Sequence, residues 1–105
     1  MASVRKWEGV LTEEGVRRAL EPEGKLVTRL GFAPQARIKA SALARQAVVT
    51  LGHCRVTVRG ETVELRAGDT AELPEGPYEL EVLGDKPVEL LIAFRLPEAV
   101  LQRMK

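Results

Sequence analysis

The sequence predicts a single all-β domain, an antiparallel sandwich or barrel, with a short helix at each end. Three observations carry that expectation. From Lys25 onward apolar residues recur at every second position, many are β-branched, and the runs are interrupted by Gly, Pro or Asp. Eight such runs fit into about seventy residues, the rhythm of short strands joined by tight turns. The 105 residues hold one compact unit, at roughly one domain per 100 to 200 residues. The expected layout is an N-terminal arm and helix over 1–24, a barrel over 25–96 and a C-terminal helix over 97–105.

Each element has a local reason. Thr12 can cap a helix ahead of Glu13 and Glu14, with Val16, Ala19 and Leu20 at helical spacing and Pro22 and Gly24 beyond, which predicts a helix over Glu13–Leu20. Trp7 and Val10 precede it and are expected to anchor the arm by burying apolar area. The strands are expected at Lys25–Phe32, Ala36–Ala40, Gln46–Leu51, Cys54–Arg59, Thr62–Arg66, Thr70–Leu73, Tyr78–Leu83 and Val88–Phe94. In Arg55–Arg59 the valines take one face and the polar residues the other. Gly60-Glu61 then turns the chain into Thr62–Arg66, which repeats the pattern as a half-buried hairpin. After Pro77, Tyr78, Leu80 and Val82 alternate with Glu79 and Glu81, so the tyrosine falls on the apolar side and the carboxylates on the wet side. Pro97 suits the first position of a final helix, and Val100, Leu101 and Met104 give it one apolar stripe, expected to pack across the barrel or against a partner chain.

Composition narrows the function classes. Sixteen Lys and Arg against fifteen Asp and Glu leave a charge of +1, with no basic footprint for nucleic acid or an anionic membrane. The single cysteine, Cys54, cannot form an internal disulfide, and no apolar run approaches the ~18 residues of a membrane helix. Without a signal-like start, a reducing cytoplasm is the expected compartment. The chain has no Asn and abundant Arg, Glu and Leu, a bias that fits a thermophilic source.

The segment Val48-Val49-Thr50-Leu51-Gly52, then Gly60-Glu61, then Leu65-Arg66-Ala67-Gly68-Asp69-Thr70-Ala71-Glu72-Leu73-Pro74-Glu75-Gly76, resembles the small single-domain cupins. The resemblance spans about Gly31 to Phe94 and implies a double-sheet β-barrel of the jelly-roll kind. The glycines fit its tight turns, which need positive φ, and Pro74 fits a corner that requires no ladder N–H.

The resemblance also implies where a metal centre would be: a His-x-His pair and a Glu from the first motif and a His from the second, an open-sided set suited to Fe, Mn, Ni or Zn. In the family's spacing the Glu position falls on Arg45, and the His pair on Ile38 and Ala40, or on Lys39 and Ser41 with a shorter gap. An ungapped count puts Glu79 at the second His, and a one-residue deletion before Pro77 puts Tyr78 there. Alternation favours Tyr78, because a strand cannot turn one residue around without turning its neighbours. On either count the family ligands are absent, so the barrel is expected to hold no metal or cofactor.

The expected ligand site is therefore a metal-free interior lined by Tyr78, Ile38, Ala40, Val49 and Leu80, open to a small apolar or aromatic molecule with one polar handle, or closed by packing. Arg45 either points inward and is paired, where it could clamp a carboxylate or phosphate, or lies at the rim with its charge in water. His53 is expected on a surface turn and Cys54 in a small core contact, since adjacent strand residues face opposite ways. Acid–base chemistry at His53 would need a second group such as Glu72 to converge on it. Glu61, Glu64, Glu72, Glu75, Glu79, Glu81 and Asp85 read as the wet side of the sheets or as turns, and Asp69 as a turn cap.

The function expected from these residues is non-catalytic binding or sensing of a small molecule. The alternatives are a metal-independent isomerase or epimerase, with Tyr78 as acid and His53 or a carboxylate as base, and a metal-dependent enzyme with non-family ligands. A homodimer is expected from the resemblance, and from the liability of open sheet edges and an exposed apolar stripe.

Overall fold

The computed structural model describes residues 3–95, so the expected final helix with Pro97, Val100, Leu101 and Met104 lies outside the described residues. Nine strands, one helix and one 3-10 turn succeed one another. They are β1 (Ser3–Lys6), α1 (Glu13–Leu20), the turn Glu21–Glu23, β2 (Leu26–Phe32), β3 (Arg37–Ala42), β4 (Arg45–Leu51), β5 (His53–Val58), β6 (Glu61–Arg66), β7 (Asp69–Leu73), β8 (Gly76–Val82) and β9 (Val88–Phe94). The strands form two antiparallel sheets, ordered β1-β7-β4-β9-β2 and β3-β8-β5-β6. Face to face they make the double-sheet jelly roll that the alternation and the resemblance implied.

The core between the sheets follows from strand parity. Ala47 and Val49 of β4, Cys54, Val56 and Val58 of β5, Leu65 of β6, Leu80 and Val82 of β8 and Leu90 of β9 are buried there together. The opposite face of the five-stranded sheet would be exposed were it not covered by α1. Val16 and Leu20 of the helix pack on Val27, Val48, Leu91 and Ala93 in a second cluster, with Trp7 beside it. The helix starts where its cap was expected: Thr12 Oγ1 accepts from Gly15 N at 3.0 Å.

Two local expectations are corrected and one is met. The arm is held by strand pairing and not by Val10, which is 67% exposed. Ser3–Lys6 pairs with β7, and Trp7 N donates to Gly68 O at 2.8 Å. The β5–β6 turn sits on Arg59-Gly60, one residue earlier than expected: Val58 pairs with Glu61, and both turn residues have positive φ (51° and 76°), as a two-residue type I′ hairpin requires. Asp69 does cap its turn, accepting from Arg66 N at 2.9 Å, and its other carboxylate oxygen accepts from Lys6 Nζ at 2.8 Å, tying β1 to the same turn.

The outer face of the four-stranded sheet is ionic. One row crosses all four strands, since Arg37 pairs with Glu81, Glu81 with Arg55 and Arg55 with Glu64. The side chains follow the register: Arg37 Nη2 to Glu81 Oε2 is 3.0 Å, Arg55 Nη1 to Glu81 Oε1 3.1 Å, and Arg55 Nη2 to Glu64 Oε1 3.4 Å. Charge alternates in sign along the row, so neighbours attract across every strand pair.

Candidate ligand site at the barrel mouth

β4 places Arg45 at its first position, on the inward face it shares with Ala47 and Val49. The family-spaced equivalent on the other sheet, Tyr78 of β8, pairs with Ala40 on one side and Val58 on the other and also faces inward. The two side chains meet. The Arg45 guanidinium carbon lies 4.5 Å from the centre of the Tyr78 ring, and Nη1 donates to the Leu43 carbonyl at 3.2 Å. Of the two placements the sequence left open for Arg45, the inward one is observed, at 9% exposure, and its partner is a π face. Burial lowers the guanidinium's pKa, and the Tyr78 phenol acts in the opposite direction.

Beneath this pair lies a cavity of about 100 Å³ between the sheets. Tyr78, Leu80, Val56 and Leu65 line it from one sheet, and Leu30, Phe32, Ala47, Leu73, Leu90 and Ile92 from the other, with Arg45 and Ala42 completing the lining. Above it Arg45 also borders a broad surface groove of about 600 Å³, shared with Lys25, Leu43, Glu72, Glu75, Phe94 and others. The groove is larger but open to water. The enclosed cavity is where a small molecule would lose its hydration against apolar walls. Arg45 belongs to both spaces.

Of the residues expected to line the interior, Arg45, Tyr78 and Leu80 come together around this cavity. Ile38 packs at the margin of the core, Val49 lies fully inside the core, and Ala40 on edge strand β3 is exposed. None of these three borders the cavity. Leu30, Phe32, Leu73, Leu90 and Ile92 were not anticipated. Their one sequence signal was apolar parity within β2, β7 and β9, and β9 carries apolar residues on both faces.

The metal set implied by the resemblance does not fit these residues. A guanidinium stands at the family's Glu position, a phenol at its second His, and alkyl groups line the space between; a fixed cation and hydrocarbon are poor company for a divalent ion. Among the described residues no three His, Cys, Asp or Glu side chains gather as a metal cluster. Glu79 is in register with Thr57 and Lys39 on the outer face. His53 is on that outer face too, its Nε2 3.4 Å from Glu64 Oε2, while Glu72 belongs to the other sheet. His53 and Tyr78 therefore stand on opposite faces and do not make an acid–base pair. Cys54, fully buried, has its thiol pKa pushed up to about 11 by burial.

No family model and no curated protein matches the chain. Solved structures do resemble it. The Cupin_2 domain of an XRE-family transcriptional regulator from Enterobacter cloacae superposes with a TM-score of 0.62 at 15% identity, over 91% of this chain and 97% of that one. The Cnp3 cupin domain of Schizosaccharomyces pombe gives 0.63 at 12% identity, over 97% of this chain and 74% of that one. A cupin superfamily protein from Desulfitobacterium hafniense gives 0.59 at 9% identity, over 92% and 79%. Likeness at these identities concerns the backbone alone.

Proposed function

We propose that this cupin-fold chain is a metal-free, non-catalytic binding module for a small molecule that has an apolar body and one polar group. The observation that carries the reading is the largely apolar cavity of about 100 Å³ between the sheets, with Arg45 and Tyr78 in its lining. Its lining residues include no carboxylate, imidazole or thiol, so a bound molecule meets binding surface and no general base. A neighbouring cupin domain is part of a transcriptional regulator, which supports a role in which occupancy of the barrel is reported elsewhere.

The test uses xenon and small neutral amphiphiles such as 3-methylbutanamide. Xenon under pressure should shift the methyl resonances of Leu65, Leu73, Leu80 and Leu90, and the amide should raise the melting temperature. Ala47→Leu, which fills the cavity from β4, should abolish both responses. Equal responses in parent and Ala47→Leu would overturn the reading, as would xenon that shifts no cavity methyl.

A further inference from the structure

The sharpest anomaly in the molecule is the Arg45 cation itself. The residue is 9% exposed, its guanidinium carbon lies over the Tyr78 ring and one N–H goes to the Leu43 carbonyl; neither partner carries a full negative charge. Buried guanidinium groups are ordinarily matched by an anion, because desolvation is costly. Of the other cations along the groove, Lys25 and Arg95, Lys25 is already engaged with Gln46 Oε1 at 3.1 Å and Glu23 at 3.3 Å. Arg45 thus stands between groove and cavity with charge to spare. With its carbon over the Tyr78 ring and Nη1 on the Leu43 carbonyl, the guanidinium has no carboxylate partner among the described residues.

We propose that the cavity takes a short-chain monocarboxylate, its carboxylate held by the Arg45 fork and its branched alkyl body of about three or four carbons inserted below. This deepens the binding-module reading and rests on it. The size follows from the space: about 100 Å³ is two thirds of the roughly 150 Å³ void that admits benzene. The charge follows from the rim. One planar guanidinium matches one planar carboxylate bidentately, whereas Glu72 and Glu75 along the groove oppose a dianion. The walls below Arg45 are alkyl and aromatic, so the body carries no second polar group.

The experiment titrates the full chain with 3-methylbutanoate, 3-methylbutanamide and inorganic phosphate, by calorimetry and methyl NMR. The acid should bind at least tenfold tighter than the amide, and phosphate should bind far more weakly than the acid. Arg45→Met should cost the acid at least tenfold more affinity than it costs the amide, and Arg45→Gln serves the same purpose should the Met variant not fold. Equal affinity of acid and amide in the parent would overturn the carboxylate assignment while leaving the binding module standing. Phosphate matching the acid, or acid binding undiminished in the Arg45 variant, would overturn it as well. Failure of both organic probes to shift any cavity methyl would remove this inference together with the reading beneath it.

Discussion

Replacing Arg45 by methionine should make the unliganded protein more stable, although the position is buried and makes specific contacts. Arg45 is 9% exposed as a residue, and holding an ion out of water costs several kcal/mol after relaxation. Its two contacts return part of that cost. A desolvated cation–π contact at 4.5 Å is worth about 2 kcal/mol, and a hydrogen bond from a charged group at 3.2 Å about 1.5 to 3 kcal/mol. These contacts roughly offset the penalty, and replacing a buried ionic group by a well-packed apolar one is often neutral or stabilising by about 1 to 4 kcal/mol, so a gain of the order of 1 kcal/mol is expected. Methionine is flexible and fills irregular space against Tyr78 and Leu43. In a domain of this size a gain of about 1 kcal/mol raises the melting temperature by about 4 to 8 °C. Circular dichroism melts at pH 7 in a buffer free of carboxylates would measure it. Saturating 3-methylbutanoate should then lift the parent above the unliganded variant, since a ligand at 100 times its dissociation constant adds about 2.7 kcal/mol. A melting temperature that drops in the variant would refute the reasoning, because Tyr78 and Leu43 alone would then account for the buried charge.

Leu65 is fully buried and borders the cavity, so Leu65→Ala enlarges a space that is already there. Urea unfolding should show a loss of about 3 to 5 kcal/mol, and a loss below about 1 kcal/mol would mean that the walls collapse inward and the cavity is not held open. Native Cys54 should resist a thiol reagent at pH 8, being fully buried with its pKa pushed up to about 11, and should react at once in denaturant; prompt labelling of the folded chain would contradict its place in the core. Burial works against the ionised form of Asp69, yet Lys6 and the Arg66 backbone N–H hold its pKa below the usual value, and Arg55 and His53 do the same for Glu64. Groups depressed in this way add stability above their unfolded pKa of about 4, and that stability fades as pH falls through the folded values. Melting temperature should accordingly be level from pH 7 to about 5 and decline below about 4, with a shallower decline in Asp69→Asn; an unchanged acid limb in that variant would remove Asp69 from the account. Gly52 has φ of 87°, and a methyl group there would run into the Pro87 carbonyl, so Gly52→Ala should cost about 1 to 3 kcal/mol or more; a neutral result would show that the loop before β9 gives way.

The strands legible in the sequence are those with one wet face. β5 and β8 alternate because water lies on one side and the core on the other, and that alternation placed Tyr78 inward and Glu79 outward without any structure. β4 has no such contrast. Residues 45 to 49 are all buried, because α1 covers the face that would otherwise be wet, so parity there could not say where Arg45 points. β1 was invisible for the opposite reason: its four residues are all exposed, and what holds it is backbone pairing, which leaves no trace in side-chain pattern. The cavity was half legible. Tyr78 and Leu80 come from a strand with clear alternation, whereas Leu30, Leu73, Leu90 and Ile92 belong to the facing sheet, and opposition across two sheets is set by long-range register that no local window contains.

The ladder from Arg37 through Glu81 and Arg55 to Glu64 gives that flank of the molecule a particular indifference. A polyanion sliding over it meets a repelling stripe for every attracting one, and a greasy surface finds nothing to wet. Salt would slacken the row without baring any oil beneath, so crowding or brine should leave the flank as mute as before. The rim, where Arg45 borders both the groove and the cavity, has no such evenness.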